Sequence, residues 1–213
     1  MSLLGIKENQ KNLRDYFVVP RDQLKERLMP LILFSIVVIL DQVSKALIVR
    51  YIPHSPFNPE SISFIGNWIN ITHVRNQGIA WSGMRELSGF WRILLLITLP
   101  AIFLILFAMW TFFSNQWTKV QRYGASFIIA GGVGNLIDRI FRYADGPRDI
   151  MNGVVDWIDM AFFKIPNFTP TGRWPTFNIA DSAVVIGVII LFITMIIDDY
   201  KKSKENKKQK ATN

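Results

Sequence analysis

Four long apolar runs decide what this chain can fold into. Pro30 to Val49 is apolar except for Asp41, Gln42, Ser44 and Lys45, and Ile93 to Phe113 carries no charge. Tyr123 to Phe141 is apolar and rich in glycine, with charges only near its end, and Ser182 to Ile197 is again uncharged. A helix needs about 20 residues to cross the hydrocarbon core, with ~17–25 observed. Three runs meet that length, and the fourth does once the polar start at Asn178–Asp181 is counted. The chain reads as an all-α membrane protein with four transmembrane helices.

Charge sets the expected orientation. The net charge is +8 over 213 residues, and it gathers at the ends. Lys7, Lys11, Arg14, Arg21, Lys25 and Arg27 precede the first run, while Lys201, Lys202, Lys204, Lys207, Lys208 and Lys210 follow the last. Lys and Arg beside a span favour the cytoplasmic side, so both termini are expected inside, as four crossings allow. Lys119 and Arg122 fall on that side too. The basic ends lack the motif context of nucleic-acid binding and read as topology signals that touch anionic membrane lipids. Three regions follow: a basic extension over 1–29, a membrane domain over 30–197, and a Lys-rich tail over 198–213 whose composition predicts disorder. The first apolar run starts late and lacks a small-residue cleavage site, so it is expected to remain as an anchor. There is no cysteine, which excludes disulfides and thiolate chemistry.

Carboxylates inside these runs are the chemical signal. Asn135 and Asp138 share one apolar segment with Gly131, Gly132, Gly134 and Arg139; Asn178 and Asp181 open the last. Both pairs have a three-residue spacing, which places two side chains on one helical face. An ionised Asp at the centre of a span costs ~2.5–3.5 kcal/mol on insertion scales, and such residues usually mark function. Asp41 and Lys45 are four apart, the spacing of a same-face ion pair. Adjacent Asp138 and Arg139 cannot face each other, so each is expected to pair elsewhere. At ~1.5 Å per residue, Asp138 lies roughly 23 Å and Asp41 roughly 17 Å along their spans. With Asp181, they converge on the outer half of the bilayer. That favours a site reached from outside over an ion path through the full depth.

Two external segments adjoin this level. Ser61 to Thr72 reads as short strands turning at Gly66-Asn67, Arg75 to Ser82 as a loop with Gly78, and Met84 to Trp91 as a short interfacial helix. Residues 142–177 are broken by glycines and prolines except from Gly153 to Phe163. Within them, Asp156 lies in Val154-Val155-Asp156-Trp157-Ile158-Asp159. Composition alone reads it as an exposed loop residue, whereas desolvation beside a second carboxylate would raise its pKa. His54 and His73 have no accompanying metal-ligand spacing, and Gly131-Gly132-Val133-Gly134 lacks the Lys of a phosphate loop.

Five ordered segments together resemble lipoprotein signal peptidase, also called signal peptidase II, a family of bacterial inner-membrane aspartyl proteases. They are Asp41-Gln42-Val43-Ser44-Lys45, Asn76-Gln77-Gly78-Ile79-Ala80-Trp81, Gly131 to Arg139, Val154-Val155-Asp156, and Phe177 to Ser182. The resemblance covers Leu31 to Ile197. It implies four transmembrane helices with a small periplasmic β-cradle and a short periplasmic helix. It also implies cleavage of diacylglyceryl-modified prolipoproteins before the lipidated Cys, with no cofactor or metal. The family's catalytic pair maps onto Asp156 and Asp181. Asp41, Lys45, Asn76, Gly78, Gly131, Asn135, Asp138, Arg139, Asn178 and Ala180 match its supporting and substrate-binding positions. Asp138 is the rival for a catalytic place. A monomer in the bacterial inner membrane is expected, with its active site toward the periplasm. Arg142 to Asn152 and Lys164 to Pro175 are longer than the family's compact loops, and both basic ends exceed its core. The alternative from another class is a four-span, proton-coupled transport or scaffold protein with structural carboxylates.

Overall fold

The computed structural model describes residues 19–54, 60–78, 89–142, 153–163 and 171–212. Helix α1 (Arg21–Tyr51) begins before the expected boundary at Pro30, which lies inside it. Its early turns are mostly exposed, with Arg27 the buried residue among them. Arg27 donates to the carbonyls of Phe112 (2.6 Å) and Phe113 (3.1 Å). The helix stops where Ile52 meets Pro53, because the residue before a proline is pushed out of the α region; Ile52 is extended (φ −117, ψ 112).

Strands β1 (Ser61–Ile65) and β2 (Ile69–Asn76) follow. They join at Gly66, whose φ of 51° is one that side chains with a Cβ rarely adopt. The strand expected to end near Thr72 runs on through Arg75 and Asn76, because β3 (Val154–Met160) pairs beside it. The antiparallel order is β1-β2-β3, with Val74 opposite Asp156. Asp156 is therefore a strand residue, not a loop residue.

Helix α2 (Gly89–Ile93) passes through a π-helical segment (Leu94–Thr98) into α3 (Leu99–Phe113). Pro100 explains the wider turn, since its ring would crowd the carbonyl of Leu96 in a regular helix. Phe90 and Trp91 thus open this helix rather than close a separate interfacial one; residues 84–88 of that expected helix lie outside the described residues. So do 79–81, 143–152 and 164–170, and with them most of the two long loops. Helix α4 (Lys119–Phe141) starts with a reciprocal capping box between Thr118 and Gln121. Helix α5 (Ile179–Thr212) continues through the tail that composition marked as disordered. Lys, Glu, Gln and Ala are good helix formers, and extension from an existing helix avoids the nucleation cost.

Three helices among the described residues are long and apolar enough to cross a membrane: Arg21–Tyr51, Leu94–Phe113 and Ile179–Glu205, with mean hydropathies of 2.1, 2.4 and 2.6. Among the described residues α4 falls outside this group because Lys119, Arg122, Asp138 and Arg139 interrupt it. It sits at the centre instead, packed on α1, α3 and above all α5. A Cβ at Gly131 would collide with the Ala180 carbonyl, and one at Gly187 with that of Gly124. Small residues let these backbones approach, as in membrane helix pairs. The molecule is apolar outside and polar within. Ile32, Ile39, Ile105 and Phe192 are more than half exposed, whereas Asp41, Lys45, Asp138 and Asn178 are fully buried.

Candidate active site

The site forms where the sheet meets one end of the helices, in two linked layers. The first joins α1 to α4. Lys45 Nζ lies 2.9 Å from Asp41 and 3.2 Å from Asp138. Arg142 Nε, one helical turn beyond Asp138, lies 2.8 Å from its other oxygen. Gln42 Nε2 contacts Asp41 Oδ2 (3.0 Å), the Gly134 carbonyl (3.0 Å) and Asp138 Oδ1 (3.3 Å). The carboxylates also accept backbone donors: Ala180 N–H reaches Asp41 Oδ1 (3.0 Å) and Val155 N–H reaches Asp138 Oδ2 (3.0 Å). This layer therefore fixes the start of α5 and the strand beside Asp156.

The second layer contains Asp156 and Asp181. A segment after Gly172 runs along the free edge of β3, where Phe177 exchanges backbone bonds with Ile158. Arg173 anchors that segment to Asp159. The chain then enters α5 through Asn178. Asn178 Oδ1 accepts from Asp181 N–H (2.9 Å), and Asp181 Oδ2 accepts from Asn178 N–H (3.1 Å). This is the reciprocal geometry of a capping box. The second Asn–Asp spacing is thus a helix start, not two residues on one helical face.

Amides tie the acids together. Asn178 Nδ2 donates to Asp156 Oδ1 (2.7 Å), and Asn76 Nδ2 donates to Asp156 Oδ2 (3.0 Å). Asn135 Nδ2 donates to Asp181 Oδ1 (2.8 Å), while its own Oδ1 accepts from Lys45 (3.0 Å) and Asn178 (3.1 Å). Among the described residues neither Asp156 nor Asp181 has an ion-pair partner. Burial, followed by the charge of Asp181, pushes the Asp156 carboxyl up to about 7 against the opposing hydrogen bonds of Asn76 and Asn178. It can therefore hold a proton at neutral pH.

All the supporting positions inferred from sequence join this assembly. Gly78 N–H donates to Asn76 Oδ1 (3.1 Å), and its carbonyl accepts from Arg139 (2.6 Å). Gly131 provides the close approach to Ala180. Asp41 and Lys45 form their expected pair, and Asp138 and Arg139 find separate partners. Gln42 and Arg142 are the additions. The Asp138–Arg142 spacing of four was the available signal for the latter. His54 and His73 lie apart, their rings 5.2 Å from each other. Burial lowers His73 to about 4, so it stays neutral.

A family model of signal peptidase II matches residues 33–197. The chain belongs to the signal peptidase II family. The lipoprotein signal peptidase of Treponema pallidum (strain Nichols) is 38% identical over 189 residues, covering 89% of this chain and 92% of that one. That of Borrelia hermsii (strain HS1 / DAH) is 39% identical over 181 residues, covering 84% and 95%. A bacterial membrane enzyme solved by the in meso method at 2.3 Å aligns with a TM-score of 0.64 and 30% identity, covering 82% and 91%. Signal peptidase II is a protease, so the polar assembly belongs to a peptide-cleaving membrane enzyme. Its two least compensated carboxylates are Asp156 and Asp181.

Proposed function

We propose that this signal peptidase II is an aspartic endopeptidase that removes signal peptides from diacylglyceryl-modified prolipoproteins by cleaving before the lipidated Cys. The observation that carries this reading is the amide-held pair, Asp156 and Asp181, bound to each other through Asn135 and Asn178. The pair shares one proton. Asp156 holds it, because burial and the neighbouring charge of Asp181 both favour its neutral form. Asp181 sits in the first turn of α5 and accepts from the Asn135 amide and the Asn178 N–H, donors that suit a carboxylate acting as base.

In the proposed reaction Asp181 takes a proton from a water, and the resulting hydroxide attacks the scissile carbonyl. Asp156 donates its proton to that carbonyl oxygen. The tetrahedral intermediate collapses when the nitrogen of the lipidated Cys receives a proton from Asp181 and the C–N bond breaks. The oxygen-bound proton returns to Asp156. Asn76, Asn135 and Asn178 orient the carboxylates, while Asp41, Lys45, Asp138 and Arg139 hold the elements that carry them.

In this reading α4 is a fourth transmembrane helix, its buried Asp138 neutralised by Lys45 of α1 and by Arg142 just past its own end. Both termini lie in the cytoplasm, supported by the basic residues flanking α1 and α5. The sheet and the acid pair then face the periplasmic side of the inner membrane, and the enzyme acts as a monomer. Purified enzyme incubated with a lipidated and an unlipidated prolipoprotein tests the assignment. Cleavage of the lipidated substrate alone, before its Cys, is expected. Equal cleavage of both would remove the lipid from the specificity.

A further inference from the structure

At the end of the helices opposite the sheet, α1, α3 and α4 border an open cavity of about 290 Å³. Its walls are graded. Leu31, Phe34, Leu104 and Ala108 line its apolar side, and Arg27 and Arg122 line the end near the start of α1 and α4. We propose that this cavity holds one acyl chain of an anionic phospholipid, with the phosphodiester beside Arg27 and Arg122.

Charge is the first argument. Both arginines are buried, at 4% and 7% exposure, and both donate to carbonyls at the end of α3: Arg27 to Phe112 and Phe113, Arg122 to Thr111 and Ser114; Arg27 also donates to the side-chain amides of Gln23 and Asn115. These carbonyls supply dipoles, not a full negative charge. No carboxylate lines the cavity, and none forms an ion pair with either guanidinium among the described residues; Glu26 acts on Arg122 only from a distance. Arg27 Nε is buried without a hydrogen-bond partner among them. Two such charges at the edge of a low-dielectric layer favour an anion. Basic pockets between transmembrane helices on the cytoplasmic side take anionic headgroups for this reason.

Size and shape are the second argument. The cavity opens between the helices toward the apolar surface of the molecule, where Leu31 and Ile105 of its lining are more than half exposed, so a lipid chain can enter it from the side. From Arg27 to Phe34 it spans about 10 Å along α1, with the charged end toward the membrane surface and the apolar end toward the midplane. The inner leaflet follows from the orientation proposed above, on which the inference rests.

The test uses the full chain in neutral detergent, with lipid retention read by native mass spectrometry. Phosphatidylglycerol is expected to be retained at least tenfold better than phosphatidylcholine with the same chains. Ala108→Phe fills the cavity, spares both arginines and should lower that retention at least tenfold while leaving prolipoprotein cleavage in detergent unchanged. Equal retention of the two lipids would overturn the assignment. Undiminished phosphatidylglycerol retention by Ala108→Phe would also overturn it, by moving the lipid to the Lys-rich tail. Displacement by an apolar 20-residue peptide would reassign the cavity to a peptide. Loss of the lipid does not touch the acid pair, so this test can fail while the peptidase reading stands.

Discussion

Asp41 and Asp138 are as deeply buried as any residue in the molecule, yet they differ in kind from Asp156 and Asp181. The first two are neutralised: Lys45 bridges both, and Arg142 adds a second cation to Asp138. The second two are held by the amides of Asn76, Asn135 and Asn178. A carboxylate locked between cations is a poor proton carrier. One held by neutral donors beside another carboxylate is a good one. The two layers meet at Asn135, whose oxygen faces Lys45 and whose nitrogen faces Asp181.

The contrast breaks most visibly in activity. Asp181→Asn should lower prolipoprotein cleavage by about 10³-fold or more, near the upper range for removing an acid–base group, while the protein remains folded. Retained cleavage with a normal unfolding profile would erase the distinction. Next in size is the ion cluster. Lys45→Met leaves two buried carboxylates without their shared cation, and breaking a buried pair costs about 3–5 kcal/mol. A large fall in the thermal unfolding midpoint is expected. A stable variant would mean that the cluster is not architectural.

Asn135→Ala tests the junction. Loss of a charge-assisted hydrogen bond costs about 1.5–3 kcal/mol, so kcat should fall roughly 10–100-fold, with a smaller change in folding stability than for Lys45→Met. The last test is the pH dependence of stability. Asp156 binds its proton more tightly when folded, at about 7 against an ordinary 3.8. Its stabilising contribution is therefore full below about pH 4 and is lost as pH rises through 7. Unfolding midpoints at pH 5 and pH 8 should differ in this direction, and Asp156→Asn should flatten the difference. An unchanged slope would remove Asp156 as its source.

Much of this contrast was legible in the chain because it follows short spacings. Asp41–Lys45 reads as a helical pair, and the apolar runs locate the helices around it. The strands of residues 61–72 announce themselves by their turn at Gly66, whereas the run of β2 on to Asn76 depends on its pairing with β3. What local spacing could not show is pairing at a distance. Asp156 reads as a loop acid until β2 covers one side of β3 and the segment ending in Phe177 covers the other. Asn178 and Asp181 read as one helical face until the helix start makes them caps for each other. The helical tail was obscured for a different reason: its charge suggests disorder, whereas its residues extend a helix that α5 has already nucleated.

The most direct measurement is single-turnover cleavage of a diacylglyceryl-prolipoprotein by Asp156→Asn, with folding checked by thermal unfolding in the same detergent. The substitution removes a buried ionisable group and disturbs one of two accepted hydrogen bonds, a cost of about 1 kcal/mol, so the enzyme should fold. The account predicts a folded protein with cleavage reduced by about 10³-fold or more. A folded Asp156→Asn enzyme that cleaves at the full rate would contradict it and return Asp138 to contention as the second acid.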